Sequence, residues 1–254
     1  MLNIVIPMAG AGRRFAVAGY TDPKPLIALH GVPMIRLVIE NLKPKEEHRF
    51  IFICQQAHVD THKLSQKLER WAPGSSLVQI QGLTEGAACT VLCAKTLIDN
   101  DNELMIANSD QYIDVDIDQY LSSMRARRLD GQIMTMTATD PKWSYVAISE
   151  KGYVSNVVEK VVISDEATTG IYNFKCGRDF VRAAESMVRQ GQKSNGEFYV
   201  APTYNPLIQE GYTVGYFNIG SEGNGMYGLG TPSDLERFST LRIAKNVLSG
   251  VRDN

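Results

Sequence analysis

The sequence is sparing with residues that staple a chain or bind metal. Its 254 residues include only four cysteines and four histidines. Cys54, Cys89, Cys93 and Cys176 read as free thiols of a reducing compartment. Cys89 and Cys93, four apart, would share a helix face in the core. His58 and His62, also four apart, fall on a polar helix, where solvent exposure is a simpler reading than a metal site. Charge of one sign is also lacking. Lys plus Arg is 26 and Asp plus Glu is 28, a net charge of −2. A nucleic-acid binder draws most of its affinity from a basic excess, so no nucleic-acid partner is expected. No polybasic run would favour an anionic membrane, and the mixed-sign stretch from Lys43 to Arg49 reads as a solvated loop. No apolar run approaches the ~20 residues of a membrane span. Met1 to Pro7 has neither the basic start nor the length of a signal peptide. The expectation is a cytoplasmic protein without a membrane partner. Small anionic ligands stay open, because they need only a local positive pocket.

There is no internal repeat and no Pro/Gly/Ser-rich linker, so residues 1–254 read as one domain. A domain of this size buries about 70–75 % of its unfolded surface, enough to need no disulfide or metal. Leu2–Met8 is an apolar run broken only by Asn3, as in a strand buried on both faces. Strand signals at 50–54, 77–80 and 104–107 alternate with helix signals at 33–42, 59–71 and 86–98. That alternation predicts an α/β fold with a doubly wound, mostly parallel sheet of Rossmann type. Closely spaced strands at 132–139, 145–149, 154–158 and 168–174 then add antiparallel members to it. Helices are predicted at 177–189, 197–209 and 233–249, with a strand at 213–218.

In such a sheet, ligands bind beyond the carboxyl ends of the parallel strands. The first end carries Ala9-Gly10-Ala11-Gly12-Arg13-Arg14-Phe15. Small residues let a backbone wrap an anion with its N–H groups. Arg13, Arg14 and the proline-flanked Lys24 add positive charge. A dinucleotide fingerprint needs a third glycine where Phe15 stands, and no Walker lysine follows. The third end carries Gln81 and, before a helix, Gly86-Ala87. Gln81 offers a donor and an acceptor to a base edge. The fourth end carries Asp110, which could hold Mg²⁺ against phosphate or cap a helix. Asp114, Asp116 and Asp118 lack the glycine and closing glutamate of a calcium loop and read as turn and cap residues.

Taken in order, these elements resemble the sugar-phosphate nucleotidylyltransferases, the family of glucose-1-phosphate thymidylyltransferase and related uridylyl- and cytidylyltransferases. The opening loop matches at Gly10-Ala11-Gly12-Arg13-Arg14-Phe15, then Lys24-Pro25. Four later matches are Gln81 with Gly86, Asp110, Glu159-Lys160 and Gly170-Ile171-Tyr172. The last is Gly230-Thr231-Pro232-Ser233-Asp234-Leu235. The resemblance implies the nucleotide-diphospho-sugar transferase type of fold, with residues 1–130 holding nucleotide and 131–254 holding acceptor. It implies Arg14, Lys24 and Asp110 as catalytic residues, with Asp110 on Mg²⁺. Ala9, Gly10, Ala11, Gly12, Gln81, Gly86 and Ala87 would bind nucleotide, and Glu159, Lys160, Gly170, Tyr172 and Asn195 the acceptor.

The reaction so implied is transfer of a nucleoside monophosphate from an NTP, preferably CTP, UTP or dTTP, to a phosphorylated acceptor. The acceptor would be a sugar 1-phosphate and the leaving group pyrophosphate. Sugar-nucleotide supply for surface polysaccharide would be the setting, and a homo-oligomer is allowed. The chain departs from the family pattern at Arg13, usually Thr or Ser. It departs again at Trp143-Ser144, which replaces a Tyr-Gly pair, and at Asn195, where some members place an arginine. Gly228 stands where the family has a second metal carboxylate, which Glu197 or Glu222 could replace. Three rival readings follow: a cytidylyltransferase for a non-sugar phosphate such as phosphocholine, a metal-dependent glycosyltransferase, and a non-catalytic nucleotide-sugar sensor.

Overall fold

The computed structural model describes residues 1–253. Its first half builds a parallel block. Strand β1 (Leu2–Pro7) is followed by a short hairpin of β2 (Ala28–Leu29) and β3 (Val32–Pro33). Then come β4 (His48–Gln55), β5 (Ser76–Ile80) and β6 (Glu103–Ala107), in the spatial order β5-β4-β1-β6 and all parallel. β1 lies centrally because both its faces are apolar. Val5 faces one core cluster, Ile4 and Ile6 the other, and all three are buried.

The remaining strands extend the same sheet. They are β7 (Gln111–Ile113), β8 (Gly131–Thr137), β9 (Ser144–Ile148), β10 (Val154–Glu159), β11 (Glu166–Phe174), β12 (Val214–Glu222) and β13 (Gly225–Gly228). β11 runs antiparallel to β6 and to β8, and β9 and β10 form an antiparallel pair beside β11. β12 returns parallel to β8, and β13 joins β12 to β7. The sheet is mixed, with helices packed over it, as the alternation predicts. Asp116 caps the helix Ile117–Ala126 by accepting from the Asp118 N–H, the role expected of it.

Six expectations are corrected. The helix expected over 59–71 is two, Gln56–His62 and Leu64–Trp71, broken at Lys63, whose φ is 50°. Those over 86–98 and 233–249 are likewise split, at Cys93-Ala94 and at the extended Leu241. Only Ala201–Thr203 and Tyr204–Gln209 of the stretch 197–209 are helical. Glu197 and Phe198 instead bond to Ser194 and to the loop at Glu85 and Ala88. Cys89 is half-buried and Cys93 exposed, so that pair is not a core face. Nor is Lys43–Arg49 all solvated loop. Glu46 takes two hydrogen bonds from Arg125, at 2.6 and 2.7 Å, and these pairings push the guanidinium pKa up.

Candidate active site

The chain leaves β1 along the edge of β4. The Met8 N–H still donates to the Ile53 carbonyl at 2.9 Å, and the Gln55 side-chain amide donates to the Ala9 carbonyl at 2.7 Å. Gly12 then turns left-handed, at φ 59°, and starts the one-turn helix Arg13–Val17. Phe15 is buried in that turn with its ring edge-on to Tyr20. Burying Phe15 leaves Arg13 and Arg14 exposed, and neither has an ion-pair partner among the described residues. Lys24 opens the 3₁₀ turn Lys24–Leu26, and its Nζ lies 2.8 Å from Asp110 Oδ2.

Asp110 is fixed from the far end of the sequence. Its carbonyl accepts from the Leu229 N–H at 2.8 Å. Gly230 lies against its carboxylate so closely that a Cβ there would be 2.7 Å from Oδ2. Behind Asp110, the Asn108 N–H donates to the Gly170 carbonyl at 3.1 Å. Gly170 has φ 87°, and any side chain on it would overlap the Asn108 amide.

The opposite wall is the loop after β5. The Thr84 and Thr90 hydroxyls lie 2.6 Å apart, and Thr90 donates to the Gly86 carbonyl at 3.1 Å. Gly86 has φ 129°, and a Cβ there would be 2.5 and 2.6 Å from the Phe198 carbonyl oxygen and nitrogen. That close approach lets the backbones pair, with Phe198 N–H to Glu85 O at 2.8 Å and Ala88 N–H to Phe198 O at 3.0 Å. The segment Glu197–Val200 is thereby clipped onto the loop, which brings Glu197 to the cavity.

The cavity so enclosed measures about 600 Å³. It gathers Ala9, Gly10, Ala11, Gly12, Arg14, Lys24, Gly86, Ala87 and Asp110 from the residues singled out in the sequence. Arg13, Leu83, Thr84, Thr90, Asn108, Ser109, Glu197 and Gly230 also line it. Gln81 lies outside this lining, exposed, with its amide 3.3 Å from Gln56 Oε1. Gly170 sits behind Asn108. Tyr172 is buried, its hydroxyl 3.0 Å from that of Thr168. Asn195 is exposed at φ 48° in the turn joining Ser194 to Glu197.

Glu159 and Lys160 stand outside the lining but connect to it. Glu159 is buried and accepts from the Ser144 hydroxyl. Burial pushes its carboxyl pKa up, against the hydrogen bond and the charge of Lys160. Lys160, at φ 56°, donates from Nζ to the Tyr199 hydroxyl at 2.7 Å, and that bond raises its pKa. Burial raises the Tyr199 pKa, the Lys160 bond opposes it, and neighbouring Glu197 adds to it. The line Glu159–Lys160–Tyr199–Glu197 therefore runs from β10 to the cavity. Nothing in the sequence pattern marks Tyr199. Asn108 and Ser109 could have been read from their place at a strand end.

The donor set suits a hard cation held mainly by phosphate. Asp110 and Glu197 are the carboxylates of the lining, and Mg²⁺ commonly takes one or two carboxylates plus phosphate oxygens and water. No group of three or more metal-ligating side chains gathers among the described residues. At Gly228 a Cβ would lie 4.0 Å from Asp234 Oδ2, an oxygen that accepts from Thr231 at 2.6 Å in the cap of the next helix. Glu222 is held elsewhere, by Lys142 at 3.0 Å and Arg237 at 3.3 Å.

A family model described as nucleotidyl transferase matches residues 4–223. Among solved structures, the chain is similar to the nucleoside-diphosphate-sugar pyrophosphorylase of Vibrio cholerae RC9. The identity is 26 %, over 94 % of this chain and 100 % of that one, with a TM-score of 0.77. It is similar in fold to the UDP-glucose pyrophosphorylase of Acinetobacter baumanii, at 15 % identity over 100 % and 99 % of the two chains, with a TM-score of 0.71. The inositol-1-phosphate CTP transferase of T. maritima shares the fold at 14 % identity over 99 % and 96 %, with a TM-score of 0.70. No curated protein matches the chain. No helix among the described residues is long and apolar enough to cross a membrane.

Proposed function

The chain belongs to the nucleotidyl transferase family, and from that premise we propose how this enzyme transfers a nucleoside monophosphate to a phosphorylated acceptor. An acceptor phosphate oxygen attacks the α-phosphorus of an NTP in line, and pyrophosphate leaves. A phosphate monoester is already a nucleophile near neutral pH, so the work of the protein is positioning and charge neutralisation. The observation that carries this reading is the concentration of cations at one cavity mouth: Arg13 and Arg14 exposed beside a glycine turn, with Lys24 facing Asp110.

The backbone from Ala9 to Gly12 wraps the triphosphate, and Arg14 and Lys24 take up its charge. Lys24 sits 2.8 Å from Asp110, so each keeps the other oriented before substrate arrives. Mg²⁺ held by Asp110 would neutralise phosphate oxygens, and Glu197 stands on the same lining as a further oxygen donor. Gly86 and Ala87 leave room for a flat base beside the Thr84 and Thr90 hydroxyls. Gln81 meets the base after swinging off Gln56. Lys160 meets the acceptor phosphate, with Glu159, Gly170, Tyr172 and Asn195 shaping that side. The acceptor is a sugar 1-phosphate and the nucleotide a pyrimidine NTP. The product feeds surface polysaccharide synthesis in the cytoplasm. Residues 1–130 serve nucleotide and 131–254 acceptor, within one domain.

The test is pyrophosphate release with Mg²⁺, crossing CTP, UTP, dTTP, GTP and ATP against sugar 1-phosphates and phosphocholine. Acceptor-dependent release with a sugar 1-phosphate is expected. Release with phosphocholine alone would overturn the sugar assignment. Turnover of a preformed nucleotide sugar without NTP would replace the reaction by glycosyl transfer, and NTP binding with no release across the grid would leave a sensor.

A further inference from the structure

We propose that Tyr199 is the positioning residue for Lys160, holding its ammonium group in place at the acceptor side of the cavity. The inference rests on the reading of Lys160 as the cation that meets acceptor phosphate. A lysine stem is long and flexible, and its head is a point charge that needs an external fix. Among the described residues, the one hydrogen-bond partner of Lys160 Nζ is the Tyr199 hydroxyl, at 2.7 Å. The same Nζ lies 4.9 Å from the centroid of the Tyr199 ring, beyond its hydroxyl end, so the phenol oxygen rather than the ring face makes the contact. Neighbouring Glu159 does not take the role, because its carboxylate accepts from Ser144.

The choice of a phenol matters chemically. A carboxylate at this place would hold the ammonium by cancelling its charge. A neutral phenol oxygen holds it and leaves the charge, with two N–H donors, for an incoming phosphate. The phenol is itself well anchored. Tyr199 follows Phe198, whose backbone is bonded on both sides to the nucleotide loop at Glu85 and Ala88. Lys193 secures the same segment through Glu85 at 3.0 Å. Lys160 starts from a left-handed backbone, φ 56°, with its N–H on the Trp143 carbonyl at 3.0 Å. Both ends of the Lys160–Tyr199 contact are thus fixed by backbone geometry.

The experiment measures labelling of individual lysines by pyridoxal 5′-phosphate and borohydride, read by peptide mass. The free amine adds to the aldehyde, water leaves, and borohydride hydride reduces the C=N bond to a stable secondary amine. In Tyr199→Phe, which removes one oxygen, Lys160 is freed and should label at least threefold faster, with Lys24 unchanged as an internal reference. Equal rates at Lys160 would overturn the proposal. So would a rise shared by Lys24 and Lys193, which would give Tyr199 a general structural role. Inorganic phosphate should slow labelling of Lys160 in the wild-type protein. If phosphate gives no protection, the acceptor reading of Lys160 falls and takes the positioning role with it. If phosphate protects and Tyr199→Phe changes nothing, only the role of Tyr199 falls.

Discussion

Gly230→Ala should slow the enzyme without unfolding it. Gly230 is not among the residues with positive φ, so alanine fits its backbone. The added Cβ would lie 2.7 Å from Asp110 Oδ2, where ordinary contact begins at 3.4 Å. The carboxylate must therefore retreat by about 0.7 Å, the difference between those distances. A retreat away from Lys24 would stretch the 2.8 Å pair to the limit of a hydrogen bond. Misplacing a reacting group by 1 Å costs on the order of 10²-fold, so a loss of roughly ten- to a hundredfold in turnover is expected. That range corresponds to about 1.4–2.7 kcal/mol of barrier. The stability cost is much smaller. Both partners are about a quarter exposed, and an ion pair so placed contributes at most ~1 kcal/mol. For a chain of this size that is about 2–4 °C in Tm. The assay is the initial rate of pyrophosphate release against Mg²⁺ concentration, beside a circular-dichroism melt. Wild-type turnover with unchanged Mg²⁺ dependence would refute the argument. So would a fall in Tm beyond about 10 °C, which would mean that the glycine serves folding rather than placement of the carboxylate.

Three further outcomes follow from the same geometry. Arg14 is exposed and unpaired among the described residues, so Arg14→Ala should keep the wild-type Tm while turnover falls about 10²–10³-fold, the usual effect of removing one group that stabilises developing charge. Gly228→Asp places a carboxylate where only Asp234 Oδ2, at 4.0 Å, comes near; it should fold and lower the Mg²⁺ concentration for half-maximal rate about three- to tenfold, as an added charged ligand does, and an unchanged Mg²⁺ titration would count against it. Burial raises the Glu159 pKa above its ordinary 4.5, so the folded protein binds that proton more readily than the unfolded chain, and stability falls as pH rises through the window above 4.5. Glu159→Gln removes that dependence, so its Tm should gain on the wild type between pH 4 and pH 7, and a constant gap across that range would refute the assignment.

The parts of the site that the sequence discloses are those made locally. Gly12, Arg14 and Lys24 lie within one turn and one short loop of β1, and Asp110 lies just past β6. A buried apolar run ending in small or charged residues is visible without a structure. The parts it hides are made by pairing across the chain. Glu197–Val200 reads as helical from its composition, yet Phe198 bonds to Glu85 and Ala88 more than a hundred residues away. Gly86 permits that approach, and local periodicity carries no trace of it. Tyr199 is hidden for the same reason. The broken helices are a tertiary effect of another kind, since Lys63 and Leu241 leave helical geometry within stretches whose apolar spacing still fits a helix. Cys93 shows the limit of reading a face from spacing alone, because four-residue spacing fixes which residues share a face but not which way it points.

The carbonyl of Asp110 bonds to Leu229, and Gly230 closes against its carboxylate. On the ribosome, Lys24 emerges 206 residues before Gly230, the difference between the two positions. At 5–20 residues per second the interval is about 10–40 s. Throughout it the nascent chain displays Arg13, Arg14 and Lys24, while Asp110, once made, has no backing. Cellular nucleotides thus meet Asp110 backed by Leu229 and Gly230 only once translation has passed Gly230, so passage of that late segment is the event that completes this wall of the cavity.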